Sequence, residues 1–255
     1  MSTESLILEG YLKALRLPTF ISNYRALAEE AAQAGHSYER FLIALAEQEL
    51  AQRERNCVAR CIQAARFPLH KELAEFEYAR LTRPHQQRIW QLAQGEYIQR
   101  AEPVILVGNP GLGKTHVAIG LALAACRQKQ RVRFYNAAAL VNDLILAQEQ
   151  QRLPKFIKTA LRQQLIVIDE LGFIPISATG AHLIFQFVSA LYERVALMVT
   201  TNLHFADWVQ VFGEEQLTAA LLDRLTHHAH ILEFIGESYR FRQRLQQEAE
   251  LSDAV

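Results

Sequence analysis

The chain has 255 residues, with 27 basic and 27 acidic side chains, no formal net charge and half its residues apolar. These proportions exclude a disordered or collagenous chain and fit one large domain, or a domain with an appendage, able to bury a core. They also exclude a protein that coats nucleic acid by bulk charge, although a local patch can hide in a neutral average.

Three cysteines make no disulfide framework and suit a reducing compartment, so a cytoplasmic location is expected. The start, MSTESLILEG, lacks the basic opening of a signal peptide. The longest apolar stretch, Val117 to Cys126, is ten residues against the roughly 18 of a membrane span, and no membrane partner is expected.

In chain order, Leu6, Leu8, Leu12, Leu15 and Leu17 open a helical pattern, and Pro18 marks the start of a second helix. From Tyr38 to Arg66 one long amphipathic helix is predicted, with Phe41, Leu42, Leu45, Leu50, Val58 and Ile62 on a broad face and Arg53, Glu54, Arg55 and Arg60 opposite. Pro68 stops it, Arg83-Pro84 marks a break, and His85 to Ala101 regains the helical period. Residues 1–102 carry 13 basic and 13 acidic side chains, so no net charge marks this region for nucleic acid.

At Glu102-Pro103 the pattern changes. Short apolar runs at Val104–Val107, Val132–Tyr135, Leu165–Ile168, Ala196–Thr200 and Ile231–Phe234 alternate with helical segments. Five such strands predict βαβ units, an α/β fold and a parallel sheet. The expected division is therefore a small all-α N-terminal domain at 1–100, for contact with DNA or a partner, and an α/β domain at 101–255.

Gly108 to Thr115 read GNPGLGKT, an unbroken G-x-x-x-x-G-K-[ST] between a strand and an apolar helix. Gly108, Gly111 and Gly113 remove side chains where backbone N–H groups must wrap phosphate, with Asn109, Pro110 and Leu112 completing the turn and His116 following it. Lys114 supplies a charge for the β and γ phosphates, and Thr115 a hydroxyl for magnesium. ATP and Mg2+ are the implied cofactors. About 50 residues on, LIVIDE places Asp169 and Glu170 at the end of a strand buried on both faces. Asp169 can hold magnesium, and Glu170 can orient or deprotonate an attacking water, which favours an ATPase over a kinase. The next strand ends in Thr200, Thr201 and Asn202, and Asn202 is the candidate to contact the γ phosphate or the water; the alternative is a turn asparagine.

The neutral average conceals a patch. Between Arg127 and Arg162 eight basic residues face two acidic ones, a net charge of +6 in 36 residues. Arg152, Lys155, Lys158 and Arg162 recur at helical spacing, an arrangement suited to a row of DNA phosphates, with a solvated helix face as the alternative. Such a face predicts weak sequence preference and steep salt dependence. Cys57 with Cys61, and His227, His228 and His230, cluster without the paired spacing of a metal site, and Cys126 reads as a buried small residue.

GNPGLGKTH, LIVIDELGFIP, VTTN, LLDRLTHHAH and GESYRFR, in this order, resemble the IstB family, AAA+ ATPases that assist a DDE transposase and are similar to the helicase loaders DnaC and DnaI. LKALRLPTF, FLIALAEQEL, AARFP and FEYAR extend the resemblance through the N-terminal region, over about residues 6–244. The phosphate motifs are widely shared, whereas DELG, LLDRL, HHAH and SYR together are narrow. The resemblance implies an AAA+ P-loop NTPase that binds ATP at the interfaces of a homo-oligomer, assembles on and remodels target duplex DNA, and recruits or stimulates an IstA-type DDE transposase. It implies that Arg224 in LLDRL reaches the γ phosphate held by a neighbouring copy, against an ion pair with Asp223 or Glu233, and that Arg240 in SYR acts as a second sensor. The rival readings are a helicase loader working on single strands, a non-hydrolysing ATP-gated architectural DNA-binding module and, more remotely, a metabolite kinase.

Overall fold

The computed structural model describes residues 3–78, 81–173, 175–236 and Ser238. It divides into two units between Arg60 and Cys61. The first holds helices α1 (Thr3–Ala14) and α2 (Pro18–Gln33) and most of α3 (Tyr38–Ala65). Pro18 opens α2, where its missing N–H leaves no hydrogen bond unmade. Leu12 and Leu45 are buried, and so is a charge, Glu49. Its carboxylate accepts from the Thr19 amide at 2.9 Å and from Arg53 Nε at 2.7 Å. Burial opposes the Glu49 charge, but these hydrogen bonds outweigh it and hold the carboxyl below its ordinary value.

Arg53 also donates to the Arg16 carbonyl at 2.8 Å, so this cation of the expected charged face is an internal tie. The broad apolar face of α3 needs correction. Leu45 is buried, while Leu42 and Leu50 are 55% and 66% exposed. Nine residues make about two and a half turns, which sets Leu50 opposite Phe41.

In the second unit the end of α3 leads through a 3₁₀ turn at Leu73–Glu75 to α4 (Arg83–Ala93) and α5 (Glu96–Gln99). The strands are β1 (Val104–Gly108), β2 (Val132–Asn136), β3 (Leu165–Asp169), β4 (Ala196–Thr201) and β5 (His230–Phe234). They form one parallel sheet in the order β2-β3-β4-β1-β5. The connections are α6 (Lys114–Arg127) between β1 and β2, and α7 (Ala137–Glu149) with α8 (Leu153–Ala160) between β2 and β3. Between β3 and β4 lies α9 (Ala178–Leu191), and α10 (Val209–Phe212) with α11 (Glu215–Thr226) precede β5.

Strand side chains alternate between two layers, as the pleat requires. Ile105, Val107, Ile166, Ile168, Leu197 and Val199 face α7 to α11. Val104, Leu106, Leu165, Val167, Ala196 and Met198 face α6. A single crossover helix cannot cover that second face, and Ala65, Leu73, Ile89, Leu92, Tyr97 and Ile98 complete its core. The division therefore falls forty residues before the boundary expected near residue 100: strand alternation marks where the sheet begins, not which upstream helices cover it. All five strands end on one rim, and the crossing from β1 over to edge strand β2 opens a crevice there.

A fragment beginning at Cys61 is accordingly expected to melt cooperatively, and one beginning at Ala101 to lose that transition. Ile89→Ala, at a side chain with 0% exposure, is expected to lower the unfolding free energy by about 3 kcal/mol. Urea titration followed by circular dichroism checks both.

Candidate active site

The loop after β1 needs glycine for identifiable reasons. Gly108 has φ +145°, and a Cβ there would stand 2.2 Å from the Phe234 carbonyl oxygen. Gly113 has φ +91° and begins α6, and a Cβ on it would meet the Phe76 ring at 2.6 Å. The Lys114 ammonium lies across the loop, donating to the carbonyls of Gly108 at 2.5 Å and Asn109 at 2.8 Å. Leu112 packs against the α6-side core. The His116 imidazole bonds the Glu72 carbonyl at 2.7 Å and meets Phe76 edge to face, so its ring serves the stretch laid over α6. Arg127, counted in the basic segment, pairs with Glu72 and holds that carboxyl below its ordinary value.

At the centre of the rim, Asp169 is 5% exposed. Its Oδ1 accepts from Thr115 Oγ1 at 2.9 Å and from Thr200 Oγ1 at 2.6 Å. Burial pushes the Asp169 pKa above its ordinary 3.8, the two hydroxyl bonds pull it down, and neighbouring Glu170 adds to the rise. Hydroxyl and carboxylate oxygens are the hard donors that magnesium takes, so Thr115 and Asp169 fit it.

Glu170 is exposed and has φ +62°, a conformation costing a non-glycine residue on the order of 1 kcal/mol. The turn is held because Thr200 Oγ1 accepts from the Glu170 amide and the Thr200 carbonyl accepts from the Leu171 amide, both at 2.9 Å. It brings Glu170 Oε2 to 2.9 Å from Asn136 Nδ2. Asn136 Oδ1 meanwhile caps α7, accepting from the amides of Ala138 and Ala139 at 3.1 and 3.4 Å. A buried carboxylate, an exposed carboxylate and a lysine in a glycine loop thus converge on one rim, an arrangement able to cleave a phosphoanhydride with water.

Comparison with known proteins agrees. The family described as IstB-like ATP binding protein matches residues 10–247. The chain belongs to this family. It is 32% identical over 243 residues to the ATP-binding protein of insertion sequence IS5376 of Geobacillus stearothermophilus, covering 95% of this chain and 97% of that one. It is also 32% identical over 237 residues to the ATP-binding protein of insertion sequence IS21 of Pseudomonas aeruginosa, covering 93% and 89%. Among solved structures, the DnaC helicase loader superposes with a TM-score of 0.51 at 21% identity, covering 69% of this chain and 99% of that one, which shows a shared fold. This IstB-like chain is an AAA+ P-loop ATPase.

The remaining expected residues lie around this frame. Asn202 follows β4 one position beyond the Val107–Thr201 pair, level with Gly108. Arg224 is elsewhere. It lines a cavity with Pro103 and Val195, which precede β1 and β4, on the rim opposite the phosphate loop. The five residues of β1 put roughly 16 Å between the rims. Its guanidinium donates to the Ala220 carbonyl at 2.8 Å and lies 4.8 Å over the Phe185 ring. Among the described residues it pairs with no carboxylate, Asp223 and Glu233 included. Arg240 lies outside the described residues.

Arg152, Lys155, Lys158 and Arg162 are all exposed. Only Lys155 and Lys158 lie within α8; Arg152 caps its start and Arg162 follows its end, because α8 stops at Ala160. Arg152 and Lys155 border a groove of about 580 Å³ with Arg66, Arg133, Tyr135 and Asp143. Among the described residues no cluster of three metal-ligating side chains could hold an ion, and no helix is long and apolar enough to cross a membrane. Burial pushes the Cys126 thiol up to about 12.

Two residues of the rim were not singled out by pattern, Thr200 as a partner of Asp169 and Asn136 as a partner of Glu170. The available signal was a polar residue ending each of two strands that flank β3.

Because Asp169 is raised by burial, its ionised form opposes folding above its unfolded pKa, and removing the charge removes that opposition. Asp169→Asn keeps an oxygen acceptor for both threonines. It is expected to raise the melting temperature at pH 7.5 while lowering ATP turnover at least 100-fold, as scanning calorimetry and phosphate release would show.

Proposed function

We propose that this protein is an ATP-dependent DNA-binding regulator of transposition, which assembles as a homo-oligomer on target duplex DNA, remodels it and recruits or stimulates an IstA-type DDE transposase. The observation that carries this reading is the separation of Arg224 from the phosphate loop. A cation with no carboxylate partner among the described residues, on the far rim of the same sheet, can act on a γ phosphate only in another copy. The insertion-sequence context of the relatives supports the transposase as partner, and the exposed row of Arg152, Lys155, Lys158 and Arg162 supports DNA.

In this reading Gly108 to His116 hold ATP through backbone N–H groups, and Lys114 balances the β and γ phosphates. Thr115 and Asp169 would hold magnesium, which would supply positive charge against the phosphates. Glu170 takes the proton of the attacking water, Asn202 orients that water or the γ phosphate, and Arg224 of a second copy stabilises charge moving to the leaving oxygen. Arg240 contacts the nucleotide as a second sensor. Within the helical region expected at 1–100, the unit up to Arg60 serves contact with DNA or the transposase, and the setting is the cytoplasm.

Arg224→Ala and Glu170→Gln subunits, each slow alone, are expected to regain ATPase activity when mixed on duplex DNA, with a maximum near equal amounts. Absence of any gain, with ATP binding intact in both, removes the shared site. Reversing Lys155 and Lys158 to Glu is expected to weaken duplex binding and reduce the slope of log affinity against log salt by about 2, measured by fluorescence anisotropy. Tighter binding of single strands than of duplex in ATP would favour the helicase-loader reading. Electron microscopy on duplex DNA with ATP, ADP or no nucleotide tests the whole: ordered assemblies are expected with ATP, and their absence there would overturn the reading.

A further inference from the structure

The cavity that holds Arg224 contains more than a single cation. It measures about 250 Å³ and is also lined by Arg100, Tyr192, Glu193, His227 and His228. That is below the roughly 300 Å³ at which sites for whole small molecules begin, but a phosphate group is smaller than those. Arg100 is occupied by Glu96 at 3.3 Å and Glu102 at 3.8 Å. Arg224 and the histidines therefore carry the cavity's donor capacity.

His227 is built into place. It ends α11, and its Nδ1 lies 2.7 Å from the Tyr192 hydroxyl at the end of α9. Burial, then the adjacent Glu193 carboxylate, hold the Tyr192 phenol above its ordinary value, so the hydroxyl keeps its proton at neutral pH. Either group can donate in this bond; in the tautomer where Tyr192 donates to Nδ1, the imidazole carries its proton on Nε2. His228, at φ +57°, sets its ring 4.0 Å from that of His227. In that tautomer His227 offers one N–H donor in the cavity of Arg224, three residues from it in sequence, on the rim that the proposed shared site turns toward a second copy.

We propose that His227, set by Tyr192, donates its Nε2–H to a terminal phosphate oxygen of the nucleotide held by the neighbouring copy, alongside Arg224. This rests on the shared site proposed above and adds a second donor to it. No covalent step is involved. The hydrogen bond strengthens as charge builds on the phosphoryl oxygens, which is how a fixed donor accelerates transfer.

The test uses the mixed oligomer on duplex DNA with ATP. The Glu170→Gln subunit supplies the cavity and the Arg224→Ala subunit supplies the phosphate loop, so a substitution can be placed on either side. His227→Ala in the Glu170→Gln subunit is expected to reduce the restored turnover about ten-fold, and the same change in the Arg224→Ala subunit less than two-fold. His227→Gln, which keeps a donor at the same reach, is expected to recover most of the loss. Tyr192→Phe in the Glu170→Gln subunit is expected to lose about three-fold, and it carries the test if His227→Ala does not fold. Equal losses on both sides, or none, overturn the role of His227 while leaving Arg224 in place. Failure of the two parent subunits to restore turnover overturns the shared site, and this proposal with it.

Discussion

The rim is organised by one buried oxygen. Asp169 Oδ1 accepts from Thr115 at the start of α6 and from Thr200 on β4, so a single carboxylate ties the phosphate loop's helix to β3 and β4. A charge at 5% exposure is unfavourable by itself, and burial raises its pKa accordingly. The two hydroxyls make it tolerable, and in doing so they fix where a cation facing the phosphates would sit. The next residue inherits its position from the same knot, because the Thr200 oxygen that donates to Asp169 also accepts from the Glu170 amide. Without that knot neither carboxylate has a defined place.

The opposite rim follows different physics. There the donors are cationic or aromatic and lie in a shallow cavity, suited to receiving charge brought by another molecule. A parallel sheet makes the separation unavoidable: all strands end together, so whatever precedes β1, β4 and β5 lies a full strand length from the loop. One domain thus carries the phosphate loop on one rim and a cationic cavity on the other, which the proposed assembly of copies would bring together.

Much of this was legible in the chain. The strands showed as unbroken apolar runs because a parallel sheet is covered on both faces. The phosphate loop was legible because close backbone approach admits only glycine at Gly108 and Gly113. What pattern could not show was partnership. The order of strands places Asn136 beside Asp169, yet 33 residues separate them in sequence and no local rule joins them. Likewise, a helical period over residues 61–99 gives a buried face without naming the surface that buries it. Arg53 read as surface charge because no local pattern marks Glu49, four residues before it, as a buried partner. The assignment of Arg224 came from family resemblance, and the structure adds its distance from the loop and its lack of a carboxylate among the described residues.

Asn136 shows how tightly such a rim restricts its sequence. Its carbonyl oxygen starts α7 and its amide nitrogen holds Glu170. Aspartate would satisfy the helix but repel the glutamate; serine would satisfy the helix but fall short of the glutamate; glutamine could reach the glutamate but is a poor start for a helix. Position 136 therefore couples two neighbours through one side chain: a substitution there disturbs the start of α7 and the placing of Glu170 together.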